Sequence, residues 1–377
     1  MIEESMSDVV AIFSPSLEIG GAEQGVVNLA NGFVQYGKNV DLLLATAEGT
    51  LLSAVHPHVN IVDLGRKGVF GAFFPLVNYL KIEHPVFLIS VQTHASLIAL
   101  WARAATRVTT KNILVEVTTM SLNYGLEPGL KNKLIPLLAR YFYRFADAVV
   151  CLTRGIEDDL RSVTGLSEKK MYQIYNPVLP NDVSKKTKQP IAHPWFEPGS
   201  PPVLITLGRL TAAKDYPTLL QAFALARQKG EMRLLFLGDG RKRNELERLA
   251  TSLDIDRDVQ FLGFVENPYP YLARSSVFVL SSAWEGLSHV LVEALACGLP
   301  IVSTDCKSGP AEVLENGKYG TLVPVGDSVA MASAILDALN VHPDHDRLQR
   351  RSRDFTLSAS IEKYLSLFDE LQKNNKK

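Results

Sequence analysis

Two glutamates and the turn between them are the residues of this chain best suited to hold an anion and a sugar together. Glu285 follows the apolar run Ser276–Leu280, and Glu293 lies beyond seven intervening residues, in an apolar segment that ends at Gly298. This order predicts a buried strand, a loop and a helix. Carboxylates form charge-assisted hydrogen bonds with vicinal hydroxyls, which favours a ribose or hexose as the partner.

The turn before the predicted helix could supply an anion-binding site. Helix N-termini carry free backbone N–H groups, so those near Gly286, Leu287 and Ser288 could hold a phosphate. In a second interpretation, Glu285 only interacts with the helix dipole and Glu293 faces solvent. An unpaired buried glutamate is rare, so the residues favour a ligand without excluding the second interpretation.

Two cations occupy a comparable position earlier in the chain. Arg209 and Lys214 follow the apolar run Val203–Leu207, where a strand is predicted to lead into a helix. Paired cations at such a junction can clamp a diphosphate, and two unrelated surface charges are the alternative. The next predicted strand ends in Gly238-Asp239-Gly240, but position 243 is arginine, so the dinucleotide pattern G-x-G-x-x-G is not completed.

Length and composition exclude several classes of protein. The chain has 377 residues, 46% hydrophobic and 21% charged, as expected of a globular protein with two domains. A net charge of −1 gives no basic field, so nucleic acid is not an expected partner. No apolar run reaches membrane-spanning length, and the first residues lack the basic region of a signal peptide. Three cysteines without metal-ligand spacing predict reduced thiols, a cytoplasmic location and no metal site.

Apolar runs and helical patterns alternate along the chain, which predicts an α/β protein. Residues 1–178 form the first predicted domain and residues 203–357 the second. Residues 179–202 are rich in proline and carry a Lys-Lys-Thr-Lys tract, which predicts an interdomain linker. Residues 358–377 predict a final helix with its apolar side chains on one face.

The first half contains two candidate ligand positions. Gly20 and Gly21 separate its first predicted strand from its first helix, where backbone amides could approach a phosphate closely. A plain tight turn is the alternative. His94 lies just past the predicted strand Phe87–Ser90, at the end where parallel sheets bind ligands, and a purely structural histidine is the alternative.

Two further segments combine basic, aromatic and aliphatic residues: Arg66–Leu76 and Leu130–Arg144. Each could be an ordinary buried helix or the start of one. Each could instead form a lip that dips into a membrane surface. Both interpretations remain open, and the second makes the inner face of the membrane a candidate peripheral partner.

The motifs together resemble those of glycosyltransferase family 4, the retaining GT-B enzymes. The resemblance rests first on the E-x7-E pair, Glu285 and Glu293, and on a G-R-L…K-D stretch, Gly208–Asp215. It rests also on two stretches after the second glutamate, Gly298–Asp305 and Ser308–Glu312. It is stronger in residues 203–326 than in residues 1–178. It implies a GT-B fold, with two Rossmann-like βαβ domains facing across a cleft and the last helix returning to the first domain.

The resemblance also implies roles for the candidate residues. Glu293 would hold the ribose, Glu285 the hydroxyls of the donor sugar, and His94 would line the reaction centre. The predicted catalytic residues are Glu285, His94, Arg209 and Lys214. The predicted donor-binding residues are Gly20, Gly21, Arg209, Lys214, Val265, Gly286, Leu287, Ser288 and Glu293, with the backbone near Val265 meeting the nucleobase. Thr118–Gly129 is predicted to be a loop on the acceptor side.

The activity implied is transfer of a hexose or N-acetylhexosamine from a nucleotide diphosphate sugar, with retention and without a metal or other cofactor. Family members that contain an S-G-P-x-E stretch, as at Ser308–Glu312, commonly use uridine donors, so the resemblance favours a uridine donor. The implied acceptor is a glycan or a lipid-linked saccharide in polysaccharide or glycoconjugate biosynthesis. A sugar-nucleotide epimerase or hydrolase of the same fold, and a non-catalytic sugar-nucleotide sensor or scaffold, are the alternatives.

Overall fold

The computed structural model describes residues 9–18, 20–125, 130–180, 182–341 and 343–373, apart from the side chains of residues 125, 130 and 131. The chain folds into two compact units. One unit consists of the chain up to Val178 together with the segment from Leu357 onward, and the other is Leu179–Thr356.

Parallel strands form the centre of the first unit. The central strands are apolar at nearly every position because helices bury both faces of the sheet. The described strands are β1 (Val9–Ser14), β2 (Asn39–Leu44), β3 (Val59–Asp63), β4 (Phe87–Val91), β5 (Lys111–Glu116), β6 (Ala148–Cys151) and β7 (Met171–Gln173). They are hydrogen-bonded in the order β3-β2-β1-β4-β5-β6-β7.

Helices connect these strands and cover the sheet. They are α1 (Gly21–Gln35), α2 (Phe73–Glu83), α3 (Thr93–Thr106), α4 (Met120–Gly125), α5 (Leu130–Phe142) and α6 (Arg154–Thr164). Leu76, Leu88 and Ile98 belong to the core cluster packed between α2, α3 and the sheet. The loop predicted at Thr118–Gly129 is wrong in part, because α4 occupies residues 120–125; residues 126–129 lie outside the described residues.

The second unit is built on the same plan. Its described strands are β8 (Val203–Leu207), β9 (Arg233–Leu237), β10 (Val259–Gly263), β11 (Val277–Leu280), β12 (Ile301–Thr304) and β13 (Thr321–Val323). They pair in parallel in the order β10-β9-β8-β11-β12-β13. Phe223, Leu234 and Ile335 are among the fully buried residues of its core.

The helices of the second unit are α7 (Val183–Lys186), α8 (Tyr216–Arg227), α9 (Arg243–Ser252), α10 (Tyr269–Leu272), α11 (His289–Ala296), α12 (Pro310–Val313), α13 (Ser328–Asn340) and α14 (His345–Ser352). Residues 179–202, whose composition predicts a linker, lie within this unit. They carry α7, and the Asn267 side chain donates a hydrogen bond to the Gln189 amide oxygen at 2.7 Å.

The last described helix, α15 (Leu357–Lys373), follows the second unit in sequence but packs in the first. The ring of Phe368 stacks on Phe33 of α1 and on Phe87 of β4, with centroids 5.4 and 4.0 Å apart. Gly32 of α1 leaves room for Leu357 at the start of α15, because a Cβ on Gly32 would lie 2.7 Å from Leu357 Cδ1. The helix therefore completes the core of the first unit.

The basic-apolar segments of the first unit are only partly buried. In Arg66–Leu76, Leu76 is buried but Phe74 is 77% exposed. On α5, Ile135 faces the core, whereas Leu137 is 62% exposed. Among the described helices, none is both long enough and apolar enough to cross a membrane.

In each sheet the described strands are added outward in both directions from one point, so the order of the strands reverses there. In the first sheet the reversal lies between the neighbouring strands β1 and β4, and in the second it lies between β8 and β11. The loops that follow two such strands diverge, so a crevice forms at their carboxyl ends, where open α/β sheets bind ligands. The loops that follow these strands carry most of the candidate residues.

Candidate functional site

An ion pair spans the reversal point of the second sheet. Lys214, in the connection between β8 and α8, donates from Nζ to Glu285 Oε1 at 2.6 Å. Glu285 lies in the loop between β11 and α11. The two side chains are only 18% and 12% exposed, so solvent screens the pair weakly. The sequence predicted both residues for the site but did not predict their contact.

The surrounding backbone fixes this pair. Gly208 directly follows β8 with a φ of 143°, and a Cβ there would lie 3.0 Å from Lys214 Cε. Ser281 Oγ donates to the Lys214 carbonyl at 2.7 Å, and Ser282 Oγ donates to Glu285 Oε1 at 2.6 Å. Sequence reasoning assigned no role to either serine; their place directly after a buried strand was the available signal.

Arg209 differs from Lys214 in its surroundings. Its side chain is exposed, and within the described part of the chain its guanidinium makes no hydrogen bond or ion pair. A guanidinium presents a planar fork of donors suited to phosphate oxygens. The edge of the second sheet therefore offers one held cation and one cation that is open to a ligand.

The turn before α11 leaves polar groups available. Ser288 is the N-cap residue of α11 but makes no capping hydrogen bond, and its hydroxyl is buried without a partner among the described residues. Leu287 is also buried. The backbone of Gly286 packs closely against Gly309, because a Cβ on Gly309 would lie 2.1 Å from the carbonyl oxygen of Gly286. A buried hydroxyl beside free helix amides is suited to receive an anion.

Glu293 is a half-buried carboxyl on α11. In the ranges that the structure describes, it forms no hydrogen bond and no ion pair. Burial raises its pKa to about 7, and the charge of Lys186 offsets only part of that rise. A carboxyl kept without partners in such surroundings is more typical of a ligand-binding group than of a stabilising one.

His289, which sequence reasoning did not select, lies beside the same pair. Burial lowers its pKa to about 4; the charge of Lys214 lowers it further and that of Glu285 opposes this. The imidazole is therefore neutral at pH 7. Its position as the first residue of α11 was the available sequence signal.

Val265 lies at the same edge of the sheet, two residues beyond β10. Its neighbour Phe264 is exposed, and Gly238 donates its backbone N–H to the Gly263 carbonyl at 2.7 Å. The backbone here is thus held against β9, two strands away from the Lys214–Glu285 pair. This position is compatible with the nucleobase contact that the resemblance implies.

The glycine pair of the first unit forms a helix start rather than a tight turn. Gly20 is the extended N-cap of α1, and Gly21 is the first residue of that helix. A Cβ on Gly20 would meet Glu23 Oε2 at 2.2 Å, and Glu23 Oε1 accepts a hydrogen bond from Gln92 Nε2 at 3.2 Å. A hydrogen bond from an amide to a carboxylate therefore spans the reversal point between β1 and β4.

His94 lies in the first turn of α3, just past the end of β4, as predicted. The preceding Gln92 has a φ of 78°, a strained value for a residue other than glycine. Thr93 donates to Glu116 Oε2 at 2.9 Å, and the Tyr143 hydroxyl donates to Oε1 of the same carboxyl. Burial raises the Glu116 pKa to about 7, although these two hydrogen bonds act in the opposite direction.

The described residues contain neither a cluster of metal-binding side chains nor a disulfide. Across the described ranges, no group of three or more His, Cys, Asp or Glu side chains is arranged to hold a metal ion. Cys151, Cys297 and Cys306 form no disulfide. Burial raises the pKa of each thiol.

The structure thus collects the predicted residues at two sheet edges. The second sheet carries Arg209, Lys214, Val265, Glu285, Gly286, Leu287, Ser288 and Glu293 at or beyond the carboxyl ends of its strands. The first carries Gly20, Gly21 and His94 at the corresponding edge. Their individual roles in binding or catalysis stay predictions.

Two family models match this chain, one in each half. The model of the group 1 glycosyl transferases matches residues 188–355, and the model of glycosyltransferase family 4 matches residues 19–181. The chain belongs to the group 1 glycosyltransferases of family 4. The resemblance drawn from its motifs is confirmed, because both models and the related proteins agree with it.

Relatives of this group 1 glycosyltransferase occur in bacteria and archaea. An uncharacterized glycosyltransferase of Methanocaldococcus jannaschii is 36% identical over 49% of this chain and 46% of its own. The N-acetylgalactosamine-N,N'-diacetylbacillosaminyl-diphospho-undecaprenol 4-alpha-N-acetylgalactosaminyltransferase of Campylobacter jejuni is 31% identical over 64% of this chain and 62% of its own. The chain therefore matches 46% and 62% of the length of these two relatives.

Solved structures confirm the GT-B fold. Anabaena HepE in complex with UDP superposes with a TM-score of 0.76 at 20% identity, covering 96% of this chain and 99% of its own. At that identity the likeness concerns the fold alone. The two Rossmann-like α/β units are as the sequence predicted.

Proposed function

We propose that this protein is a retaining glycosyltransferase that moves a hexose or N-acetylhexosamine from a UDP-sugar to a glycan or lipid-linked acceptor. The observation that carries the proposal is the polar edge of the second sheet. There, two cations and a turn with free amides lie at one reversal point, and the unpaired carboxyl of Glu293 lies on the helix that follows. A nucleoside diphosphate combines the anionic and hydroxylated parts that these groups would bind.

The chemistry required is the departure of a nucleoside diphosphate from the anomeric carbon. The bond from that carbon to the diphosphate oxygen breaks, a bond to an acceptor oxygen forms, and the leaving phosphate takes the acceptor proton. Arg209, Lys214 and the amides near Leu287 and Ser288 would stabilise the departing charge. These groups carry out the task that a metal ion performs elsewhere, so we propose transfer without a metal.

The names of relatives support the donor and acceptor classes. The Campylobacter relative is named for transfer of N-acetylgalactosamine to a diphospho-undecaprenol-linked saccharide, and a Rhizobium meliloti relative for lipopolysaccharide core biosynthesis. HepE was solved with UDP. A uridine donor and a lipid-linked acceptor in glycan or lipopolysaccharide biosynthesis are therefore the first combination to test.

A lipid-linked acceptor would bring the protein to a membrane surface, and α5 has a surface suited to one. Leu134, Leu137 and Tyr141 follow one another at helical spacing and are exposed. Exposed Arg140 and Arg144 flank them, and the Arg144 guanidinium lies 4.2 Å from the Tyr141 ring centroid. Apolar side chains flanked by cations are typical of helices that lie in the interface of anionic membranes.

Vesicle sedimentation tests this peripheral contact. Wild-type protein should pellet with vesicles containing anionic phospholipid and much less with neutral vesicles. Leu137→Glu should reduce the pelleted fraction several-fold, whereas Val329→Glu, at an exposed apolar position of α13 in the other unit, should not. Equal pelleting of both variants would refute the α5 surface.

A ligand panel followed by turnover tests the proposed function itself. UDP, GDP, ADP and their common sugar conjugates are compared by thermal shift, since ligands of the folded state raise its stability. A shift with uridine ligands, followed by sugar transfer to a lipid-linked saccharide, is the expected result. Binding without transfer to any acceptor would favour the sensor or scaffold alternative. No shift with any nucleotide would refute the proposal.

A further inference from the structure

We infer that Glu285 acts on the nucleotide through Lys214, as a positioning residue for the ammonium group. This inference rests on the proposed function and adds a role that the predicted contact between Glu285 and donor-sugar hydroxyls does not contain. Its basis is the 2.6 Å contact between Lys214 Nζ and Glu285 Oε1 in a weakly exposed setting. The two residues lie 71 positions apart, so the fold, not local sequence, creates the pair.

The carboxylate of Glu285 is itself held. Ser282 Oγ donates to the same oxygen, Oε1, at 2.6 Å. Ser282 is fully buried, and its carbonyl accepts a hydrogen bond from Thr304 Oγ1 of β12 at 2.6 Å. Two donors on one carboxylate oxygen fix its orientation and leave Oε2 available to another group.

The lysine is held along its length as well. Ser281 Oγ donates to the Lys214 carbonyl at 2.7 Å, and the Ala283 N–H donates to the Ala213 carbonyl at 2.8 Å. The loops after β8 and β11 are thereby joined directly at the residues that carry the pair. The absence of a side chain at Gly208 leaves the space that the Lys214 stem occupies.

A lysine held in this way binds an anion more tightly than a freely moving one. A lysine stem has several rotatable bonds, and ordering it when a ligand binds reduces the affinity. An ammonium has three N–H donors, so the one given to Glu285 leaves two for phosphate oxygens. The carboxylate therefore fixes the direction of the cation before the nucleotide arrives.

Three roles of Glu285 differ in their effect on UDP, which has no sugar for Glu285 to bind. A positioning role means that loss of the carboxylate weakens UDP binding. A role confined to the donor sugar leaves UDP binding unchanged. A purely electrostatic role makes UDP bind more tightly, because a negative charge near the diphosphate disappears.

Calorimetric titration with UDP separates these roles, with GDP and ADP in parallel. Glu285→Ala should weaken binding about tenfold, and Glu285→Gln should weaken it less, because the amide oxygen can still accept from Lys214. In a Lys214→Ala background, Glu285→Ala should cause no further loss, since two residues that act through one contact are not additive. Glu245→Gln, which changes the exposed pair with Lys242 in the same unit, is the matched control and should leave affinity unchanged.

Unchanged or tighter UDP binding by Glu285→Ala would overturn the inference, and so would full additivity with Lys214→Ala. Ser282→Ala, which removes one of the two donors on Oε1, should weaken UDP binding about threefold and serves if Glu285→Ala fails to fold. If the wild-type protein binds UDP but the effects of Glu285→Ala and Lys214→Ala on binding are additive, this inference alone is refuted. Wild-type protein that binds no nucleoside diphosphate would refute the proposed function, and this inference with it.

Discussion

The reversal points of the two sheets have the same topology but opposite charge. Between β8 and β11 the contact is Lys214 with Glu285, and the exposed guanidinium of Arg209 lies nearby in sequence. Between β1 and β4 the contact is Gln92 with Glu23, a neutral amide with a carboxylate. The contact at one edge includes a cation, and the contact at the other does not.

This difference shows what the fold decides and what the side chains decide. A parallel sheet that reverses its winding creates a ligand position at that point in both units. The residues on the two following loops then set the ligand class, since cations recognise phosphate, while carboxylates and amides recognise hydroxyls. Substitutions at each edge test whether its side chains set the class of ligand.

The largest expected effect is at the cationic edge. Lys214→Ala should lower affinity for the nucleoside diphosphate about 100-fold, because it removes charge-assisted hydrogen bonds and leaves Glu285 without its cation. Arg209→Ala should lower the same affinity only about tenfold, since the exposed Arg209 side chain must be ordered when the ligand binds. Titration with UDP measures both. An equal loss on changing Gln92→Ala in the first unit would abolish the distinction between the two edges.

The pH dependence of Glu293 gives the next effect. Its folded-state pKa of about 7 lies above the ordinary 4.5, so folding favours the protonated form and the free energy of unfolding falls as pH rises from about 4.5 to about 7. Glu293→Gln should therefore be more stable than wild type above pH 7, by about 1–3 kcal/mol. Denaturant unfolding at pH 5.5 and 8 measures this.

The same variant should lose nucleotide binding, which distinguishes it from a change at Glu116. Wild-type affinity for UDP should rise between pH 6 and 8 as the Glu293 carboxyl ionises, and Glu293→Gln should abolish that rise. Glu116→Gln should instead lower stability, because its amide cannot accept from both Tyr143 and Thr93, and should leave UDP affinity unchanged. A pH-dependent affinity that survives in Glu293→Gln would show that another group titrates.

A smaller effect is expected from crowding the lysine. Gly208→Ala places a methyl group 3.0 Å from Lys214 Cε, at a φ of 143° that side chains rarely adopt. The free energy of unfolding should fall by about 1–3 kcal/mol, and UDP affinity should fall with it. Gly230→Ala is a matched control, because a Cβ there meets nothing within 4 Å. Unfolding curves of both variants with and without UDP make the comparison.

The smallest effect is expected from metal removal. The proposed stabilisation of the departing diphosphate comes from Arg209, Lys214 and backbone amides, so EDTA should change sugar transfer less than twofold. Turnover of the UDP-sugar with and without EDTA, and with added Mg²⁺, measures this. A loss of tenfold or more that Mg²⁺ restores would contradict the metal-free proposal.

Much of the fold was predictable because its signals are local. Buried strands appear as apolar runs, and α11 ends near Gly298, whose φ of 69° suits glycine. The composition of residues 179–202 misled, since a proline-rich, charged segment can still pack, as α7 does. The helix α4 was missed because its six residues carry no clear periodicity.

The individual site residues were predictable, but their contacts were not. The positions of Lys214 and Glu285 follow from strand–loop–helix patterns, whereas their pairing depends on which strands are neighbours. The position of His289 beside the Lys214–Glu285 pair and the Glu23–Gln92 contact depend on the fold in the same way. Sequence patterns identify residues at strand ends; strand order decides which of them meet.

The helix α15 has a consequence for how the chain assembles during synthesis. Phe368 and Leu357 fill places against α1 and β4 in the first unit, yet they are separated from that unit by all of the second. A ribosome produces the second unit in full before it produces this helix. The first unit to be made is therefore the last to be completed, and nascent chains that lack α15 expose its unfilled core to chaperones and proteases.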